Sequence, residues 1–257
     1  MDLGIKGKIA LVTASSGGMG RNIAHALAAE GANILLFARS SEKLSAVAIE
    51  IEEQHGVKVV AVVGSMLVAG DVQRLAATVL KSGGLDILVL VTGRPPNPLR
   101  ATLQETEEAR WQEAYQSQLW GAIHVVNGVV PYMAERGWGR IIAITSASAK
   151  QPMAVHALST VFRAGVTAYM KGLANEVGAK GITVNCVAPA LIDTSHRTGS
   201  AAYTAEQTAV RQKLTPLGRM GSQEELCGVV TFLASKQAGF ITGSTIAVEG
   251  GMVGSLF

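Results

Sequence analysis

Short apolar, β-branched runs alternate along the chain with longer stretches in which apolar residues recur at helical spacing. The runs fall at residues 9–13, 32–37, 57–63, 86–91, 140–145, 181–187 and 245–248. The helical stretches fall at 18–30, 41–53, 71–81, 111–135, 158–177 and 223–234. Strands alternating with helices predict βαβ units, hence a parallel sheet with helices on both faces. The runs are almost unbroken in their apolar character, as strands buried on both faces should be. Right-handed crossovers then favour a doubly wound α/β sheet of about seven strands. No linker, repeat or low-complexity segment divides the chain, so residues 1–257 are expected to form one domain.

Composition narrows the function. Of 257 residues, 48% are hydrophobic and only 16% charged, which excludes a disordered chain and a solvated coiled coil. Lys and Arg number 22 against 19 Asp and Glu, a formal charge of +3. That excess is scattered, so nucleic acid is not an expected partner. Two cysteines, Cys186 and Cys227, make neither a disulfide framework nor a zinc site. They read as reduced thiols, and no metal is expected. No apolar stretch reaches the ~18 residues of a membrane span. The start, Met1-Asp2-Leu3-Gly4, lacks the basic and apolar regions of a secretory signal. The expectation is a cytoplasmic protein with no membrane partner.

Two further segments stand out, one that cannot be regular structure and one that is a candidate lid. Arg94-Pro95-Pro96-Asn97-Pro98 predicts a stiff loop leaving the fourth strand. Residues 194–216 are polar and mixed and follow the sixth strand. Ligands of open α/β sheets sit outside the carboxyl ends of the strands, so 194–216 is a candidate substrate lid.

The first strand runs into Thr13-Ala14-Ser15-Ser16-Gly17-Gly18-Met19-Gly20, and a helix follows. A strand, a glycine-rich turn and a helix start make an anion site, because the backbone can approach a pyrophosphate and the helix N-terminus offers free N–H groups. The second strand ends at Ala38 and is followed by Arg39-Ser40. An NAD site usually places an acidic residue there for the ribose 2′-hydroxyl. A guanidinium suits a 2′-phosphate instead, so NADP (NADPH) is preferred over NAD.

With these residues in view, the chain resembles the short-chain dehydrogenase/reductases, and 3-oxoacyl-carrier-protein reductases in motif layout. The glycine turn is similar to that family's TGxxxGxG with Ala14 at the first Gly. Residues 84–91 resemble the approach to the fourth strand, and 138–146 the fifth strand with its catalytic serine. Gly181-Ile182-Thr183-Val184-Asn185 and Pro189-Ala190-Leu191-Ile192-Asp193-Thr194 resemble the sixth strand and the nicotinamide-side loop. Ile241-Thr242-Gly243 and Val248-Glu249-Gly250-Gly251 resemble the C-terminal signature. The resemblance implies a Rossmann-type sheet of order 3-2-1-4-5-6-7. It implies coenzyme contacts from Ala14, Ser15, Ser16, Gly18, Met19, Gly20, Arg39, Ser40, Ser65, Met66, Thr92, Gly93, Arg163, Pro189, Ala190, Ile192 and Thr194.

The catalytic positions depart from the family's pattern. Its Ser matches Ser146, but its Tyr falls on Ser159, its Lys on Arg163 and its Asn on Gln118. Its Asn-Asn-Ala-Gly appears as Leu90-Val91-Thr92-Gly93, and its adenine-side Asp as Ser65. Arg163 keeps a positive charge for the ribose hydroxyls but yields no proton. Ser159 is a far weaker acid than a phenol. His156, seven residues before Arg163, matches a longer Tyr-to-Lys spacing found in some enoyl reductases, and imidazole is a competent acid. Tyr169 is turned ~80° from Ser159 along a helix and does not replace the phenol. His25, His55 and His124 read as helix-surface or packing residues, whereas His196 falls in the lid, where it could touch substrate.

The function expected is an NADP(H)-dependent oxidoreductase interconverting a carbonyl and an alcohol on a small or acyl substrate. The changed site leaves open a non-redox enzyme on the same fold, similar to halohydrin dehalogenases, or a nucleotide-binding sensor with little catalysis. The family associates through the helices matching 111–135 and 158–177. Here those helices carry small and apolar residues, so a homodimer or homotetramer is expected.

Overall fold

The computed structural model describes residues 2–193 and 204–256. Its seven strands are β1 (Ile9–Thr13), β2 (Asn33–Ala38), β3 (Val59–Val63), β4 (Ile87–Leu90), β5 (Gly139–Ile144), β6 (Ile182–Pro189) and β7 (Thr245–Val248). All pair in parallel, in the order β3-β2-β1-β4-β5-β6-β7. The chain starts in the middle, winds outward to β3, then crosses to β4 and winds the other way. This is the doubly wound sheet the residue pattern predicts, and the reversal between β1 and β4 opens a crevice at the carboxyl edge.

Alternate residues of the central strands feed two cores. Ala10 and Val12 of β1, Ile34 and Leu36 of β2, and Ile142 and Ile144 of β5 point to one face. That face is covered by α1 (Gly18–Ala29), α2 (Ser41–His55) and, further along the chain, a helix over Gln223–Ala234. Leu11, Leu35, Phe37, Ile141 and Ala143 point to the other. α3 (Ala69–Lys81) and two later helices, Gly121–Glu135 and Ala157–Val177, cover it. Each fully buried aliphatic side chain contributes ~1.5–3 kcal/mol. With apolar residues needed on both faces, the strands lose the alternation of a half-exposed sheet.

The edges differ from expectation. β3 is not doubly buried: Val60 and Val63 are each 39% exposed. Among the described residues its outer side has no partner strand, so only β2, α2 and the start of α3 cover it. β7, at the other edge, is half-buried throughout.

The helix expected over 111–135 begins earlier and is not uniform. α4 (Glu108–Ala114) passes through a π turn, Tyr115–Trp120, into α5 (Gly121–Glu135). A π turn inserts one residue into the helical ladder and is common at functional sites. α6 (Ala157–Val177) carries Ser159 and Arg163 one turn apart. The segment expected to be a substrate lid contains α7 (Ala205–Gln212), capped by reciprocal Thr204 and Gln207 bonds. Residues 194–203, with Thr194 and His196, lie outside the described residues. α8 (Gln223–Ala234) completes the helices.

The proline loop is held by one side chain. Arg110 of α4 donates to the carbonyls of Asn97 at 3.0 Å and Pro98 at 2.6 Å, and pairs with buried Glu105 at 2.8 Å. Its guanidinium holds the Glu105 carboxyl below the usual carboxylate range. No described helix is long and apolar enough to cross a membrane.

Candidate functional site

The first part of the site is the β1–α1 turn. Gly17 precedes α1 and no side chain caps the helix, leaving its first N–H groups without a side-chain acceptor. A Cβ on Gly17 would meet nothing within 4 Å, so the approach to those groups is open. A Cβ on Gly20 would lie 2.6 Å from the Ala14 carbonyl oxygen, so this position must be Gly for α1 to pack on the turn. Ala14 occupies the left-handed region at φ 49°, where an L side chain costs ~1–2 kcal/mol. Ser15 is fully buried, and its Oγ accepts the Phe37 N–H at 3.0 Å. Its hydroxyl therefore ties the turn to β2 rather than facing a ligand. Ser16, Gly18 and Met19 lie on the accessible rim.

Around the same edge, Arg39 is exposed beyond β2 and has no charge partner among the described residues. Ser40 follows it as the residue before α2. After β3, Ser65 receives two constraints: its N–H donates to Asp71 at 2.7 Å, and its Oγ accepts the Leu67 N–H at 3.2 Å. The Met66 carbonyl binds the His124 ring at 2.8 Å. After β4, the Gly93 N–H donates to the Ser117 carbonyl at 3.1 Å, and a Cβ on Gly93 would come within 2.9 Å of Ser117 Cβ. The end of β4 is thus pressed against the π turn.

Arg163 is the centre of the arrangement. It is buried, and its Nη2 donates to the Gly93 carbonyl at 2.8 Å. Nη1 donates to Thr92 Oγ1 and to the Ile144 carbonyl at 3.3 Å. No carboxylate pairs with it among the described residues. Burial lowers its pKa to about 10, which leaves it charged at neutral pH. A guanidinium has five N–H donors, so Nε–H and one Nη2–H remain as a fork without a protein acceptor.

One turn before Arg163, Ser159 joins a chain of hydroxyls. Ser146 lies just beyond β5, and its Oγ accepts from the Ser148 N–H at 3.2 Å and the Ser148 hydroxyl at 3.0 Å. Ser148 Oγ lies 3.4 Å from Ser159 Oγ. Ser148 is fully buried and escaped the sequence reading, which had no signal for a second serine two residues on. His156 precedes α6 and its Nδ1 lies 2.6 Å from the Ala154 carbonyl. That bond fixes the proton on Nδ1 and leaves Nε2 as the basic nitrogen. Gln118, in the π turn, is fully buried, and neither Nε2 nor Oε1 has a partner among the described residues. Tyr169 is directed elsewhere, 3.3 Å from Asn127 of α5.

On the far side, Ala190 N–H donates to the Val248 carbonyl at 3.1 Å, and Ile192 bridges Gly221. Pro189 ends β6 beside them. Leu191 at φ 51° and Val155 at φ 52° are left-handed like Ala14. All three flank the carboxyl edge, and such strain gathers where surrounding structure holds a site in shape. Cys186 is buried, and desolvation pushes its thiol up to about 11, so it is unreactive; Cys227 is also buried and unbridged.

The profile of a family described as Enoyl-(Acyl carrier protein) reductase matches residues 13–253. A relative named Dehydrogenase/reductase SDR family member 4, from Oryctolagus cuniculus, is 34% identical over 245 residues, 95% of this chain and 93% of its own. The chain belongs to the short-chain dehydrogenase/reductase family. It is similar to the 3-oxoacyl-[acyl-carrier-protein] reductase FabG of Aquifex aeolicus, 34% identical over 98% of this chain and 100% of that one. Its fold matches L-sorbose reductase from Gluconobacter frateurii, solved with NADPH and L-sorbose, with a TM-score of 0.91 and 34% identity over 100% of both chains. These relatives are oxidoreductases of this family, which supports the same broad class here.

Proposed function

We propose that the protein is an NADP(H)-dependent oxidoreductase that interconverts a carbonyl and an alcohol on a small or acyl substrate. The observation that carries this reading is Arg39, a cation with no charge partner among the described residues, beyond β2 on the same edge as an uncapped helix N-terminus. The open space above Gly17 and the N–H groups of α1 fit a pyrophosphate, and Arg39 with Ser40 fits a 2′-phosphate. The similar L-sorbose reductase, solved with NADPH, supports the same coenzyme.

When bound, the coenzyme supplies a hydride at its nicotinamide C4. The chain's own residues do the rest. The Arg163 fork of Nε–H and Nη2–H suits two adjacent ribose hydroxyls. Ser146, the least buried of the three hydroxyls, orients the substrate oxygen and stabilises charge on it. As the carbonyl carbon gains hydride, its oxygen must gain a proton. Ser159 donates through the chain with Ser146 and Ser148, or His156 donates when doubly protonated. His156→Gln separates the two: a kcat that falls while the coenzyme Kd is unchanged assigns the proton to the imidazole, and an unchanged kcat assigns it to the serines. Gln118, with its unpaired amide, holds a water or substrate group beside α6. Ser65, Met66, Thr92, Gly93, Pro189, Ala190, Ile192 and Thr194 complete the coenzyme contacts in this reading.

The residues from 194 to 216 act as the substrate lid, the chain is one domain, and copies associate through α5 and α6 in the cytoplasm. A second reading, a nucleotide sensor with little turnover, is favoured by the loss of the phenol at position 159. NADPH oxidation is to be measured with L-sorbose, simple ketones and 3-oxoacyl thioesters. Turnover with any of them supports the reductase. Tight NADPH binding with no turnover, together with strong activity gained by Ser159→Tyr/Arg163→Lys, supports the sensor.

A further inference from the structure

The loop after β4 is fastened to α6 at both ends. The Gly93 carbonyl accepts from Arg163 at 2.8 Å, and the Arg100 carbonyl accepts the Ala157 N–H at 3.3 Å. Positions 157 and 163 are about 9 Å apart along a helix axis. Residues 94–99 therefore run beside the first turns of α6, from Arg163 past Ser159 toward His156. The middle of the loop is fixed as well. Arg110 donates to the carbonyls of Pro96 at 3.4 Å, Asn97 at 3.0 Å and Pro98 at 2.6 Å. The loop is thus a wall of set shape beside the serine chain.

One cation on that wall is uncommitted. Arg94 is exposed and has no hydrogen-bond or charge partner among the described residues. It directly follows the carbonyl that Arg163 holds, so its Cα lies within about 6 Å of the Arg163 guanidinium. Pro95 comes next, which confines the Arg94 backbone to the extended region. Both carboxylates between residues 94 and 107 are taken: Glu105 pairs with Arg110 at 2.8 Å, and Glu107 with Arg100 at 2.6 Å. The amino end of α6 meets the same wall without a side-chain cap, so its dipole adds positive potential there. A fixed cation and a helix N-terminus flanking a reactive oxygen site favour an anionic substrate.

We propose that the substrate is a small oxo acid and that Arg94 binds its carboxylate, which makes Arg94 the residue that sets specificity. The proposal rests on the reductase reading and narrows its substrate. A guanidinium matches a carboxylate with two parallel N–H bonds. The oxo carbon gains the hydride and its oxygen gains a proton, as above, while the carboxylate takes no part in the bond changes. The test compares NADPH oxidation with 2-oxobutanoate, acetoacetate and levulinate, each against its methyl ester. At least one acid is expected to exceed its ester at least tenfold in kcat/KM on the unaltered protein. Arg94→Gln is expected to lower that acid at least tenfold, mainly through KM, and to leave the ester and the NADPH Kd within threefold. Arg94 makes no bond inside the protein, so the variant is expected to melt at the parent temperature. The proposal is overturned by esters that match or exceed their acids throughout, by an equal loss for acid and ester in the variant, or by a raised NADPH Kd, which gives Arg94 to the coenzyme. No turnover of these compounds or of the ketones and thioesters above defeats the reductase reading instead. Calorimetric titration of the protein with each acid and ester then decides this one. An acid that binds at least tenfold more tightly than its ester, and loses that advantage in Arg94→Gln, supports it; equal binding, or none, overturns it.

Discussion

Replacing Arg163 by Met tests the centre of the coenzyme reading. Methionine fills similar space on an unbranched stem but offers no donor. Three bonds inside the protein disappear, to Thr92 Oγ1, Gly93 O and Ile144 O. A buried, unpaired charge disappears with them, so folding should lose less than those bonds alone suggest. The coenzyme loses two bonds from a cation, at ~1.5 kcal/mol each. That total of ~3 kcal/mol corresponds to an NADPH Kd raised ~150-fold. The ribose beside the nicotinamide is common to both coenzymes, so the NADH Kd should rise by a similar factor. Titration of protein and coenzyme fluorescence measures both, with thermal melting to show that the variant folds cooperatively. A folded Met variant whose NADPH Kd stays within threefold of the parent would refute the assignment of the fork to the ribose.

Other substitutions probe different parts of the edge. Arg39→Ala should raise the NADPH Kd at least tenfold and leave NADH unaffected, measured by the same titrations. Ser148→Ala should lower kcat about tenfold on any substrate turned over, with KM and coenzyme Kd unchanged, because it cuts the link between Ser146 and Ser159. Ala14→Gly should raise stability by ~0.5–1 kcal/mol, about 2 °C in Tm, by relieving the left-handed φ against glycine's greater chain entropy. Glu225, held at about 2 by the Arg219 guanidinium and the Ser222 N–H, gives a pH test. Its folded pKa is depressed, so its contribution is full above the usual carboxylate range near ~4.3 and fades as pH falls toward 2. Glu225→Gln should flatten the acid limb of a Tm-against-pH curve over that window.

Much of the fold was legible because a strand buried on both faces must be apolar at every position. That requirement marked β1, β2, β4, β5 and β6 within a residue or two. It misled at β3, where Val60 and Val63 have core-like side chains but face outward on an edge. Burial there depends on which strand is last, and a local pattern carries no such information. The π turn was invisible for a related reason. A single inserted residue leaves the apolar spacing of 111–135 almost unchanged, yet it turns Gln118 fully inward. The Thr204-x-x-Gln207 capping pair was present in the sequence, but the polar surroundings hid the helix it starts.

At the site, the chain itself determined which chemistries are on hand: a glycine turn after β1, a cation after β2, serines at 146 and 159, and Arg163 in place of an amine. Spacing along one helix brings 159 and 163 together without help from the rest of the fold. Only the tertiary structure decided how their groups are used. Arg163 is directed at the ends of β5 and β4, which lie 19 and 70 residues or more away along the chain. Ser148 became part of the site because a short turn after β5 folds it back under α6. Ser15 and Ser65 were committed to local backbone bonds. Residue types follow from covalent sequence, but hydrogen-bond partners are allotted by which distant segments packing brings within about 3 Å.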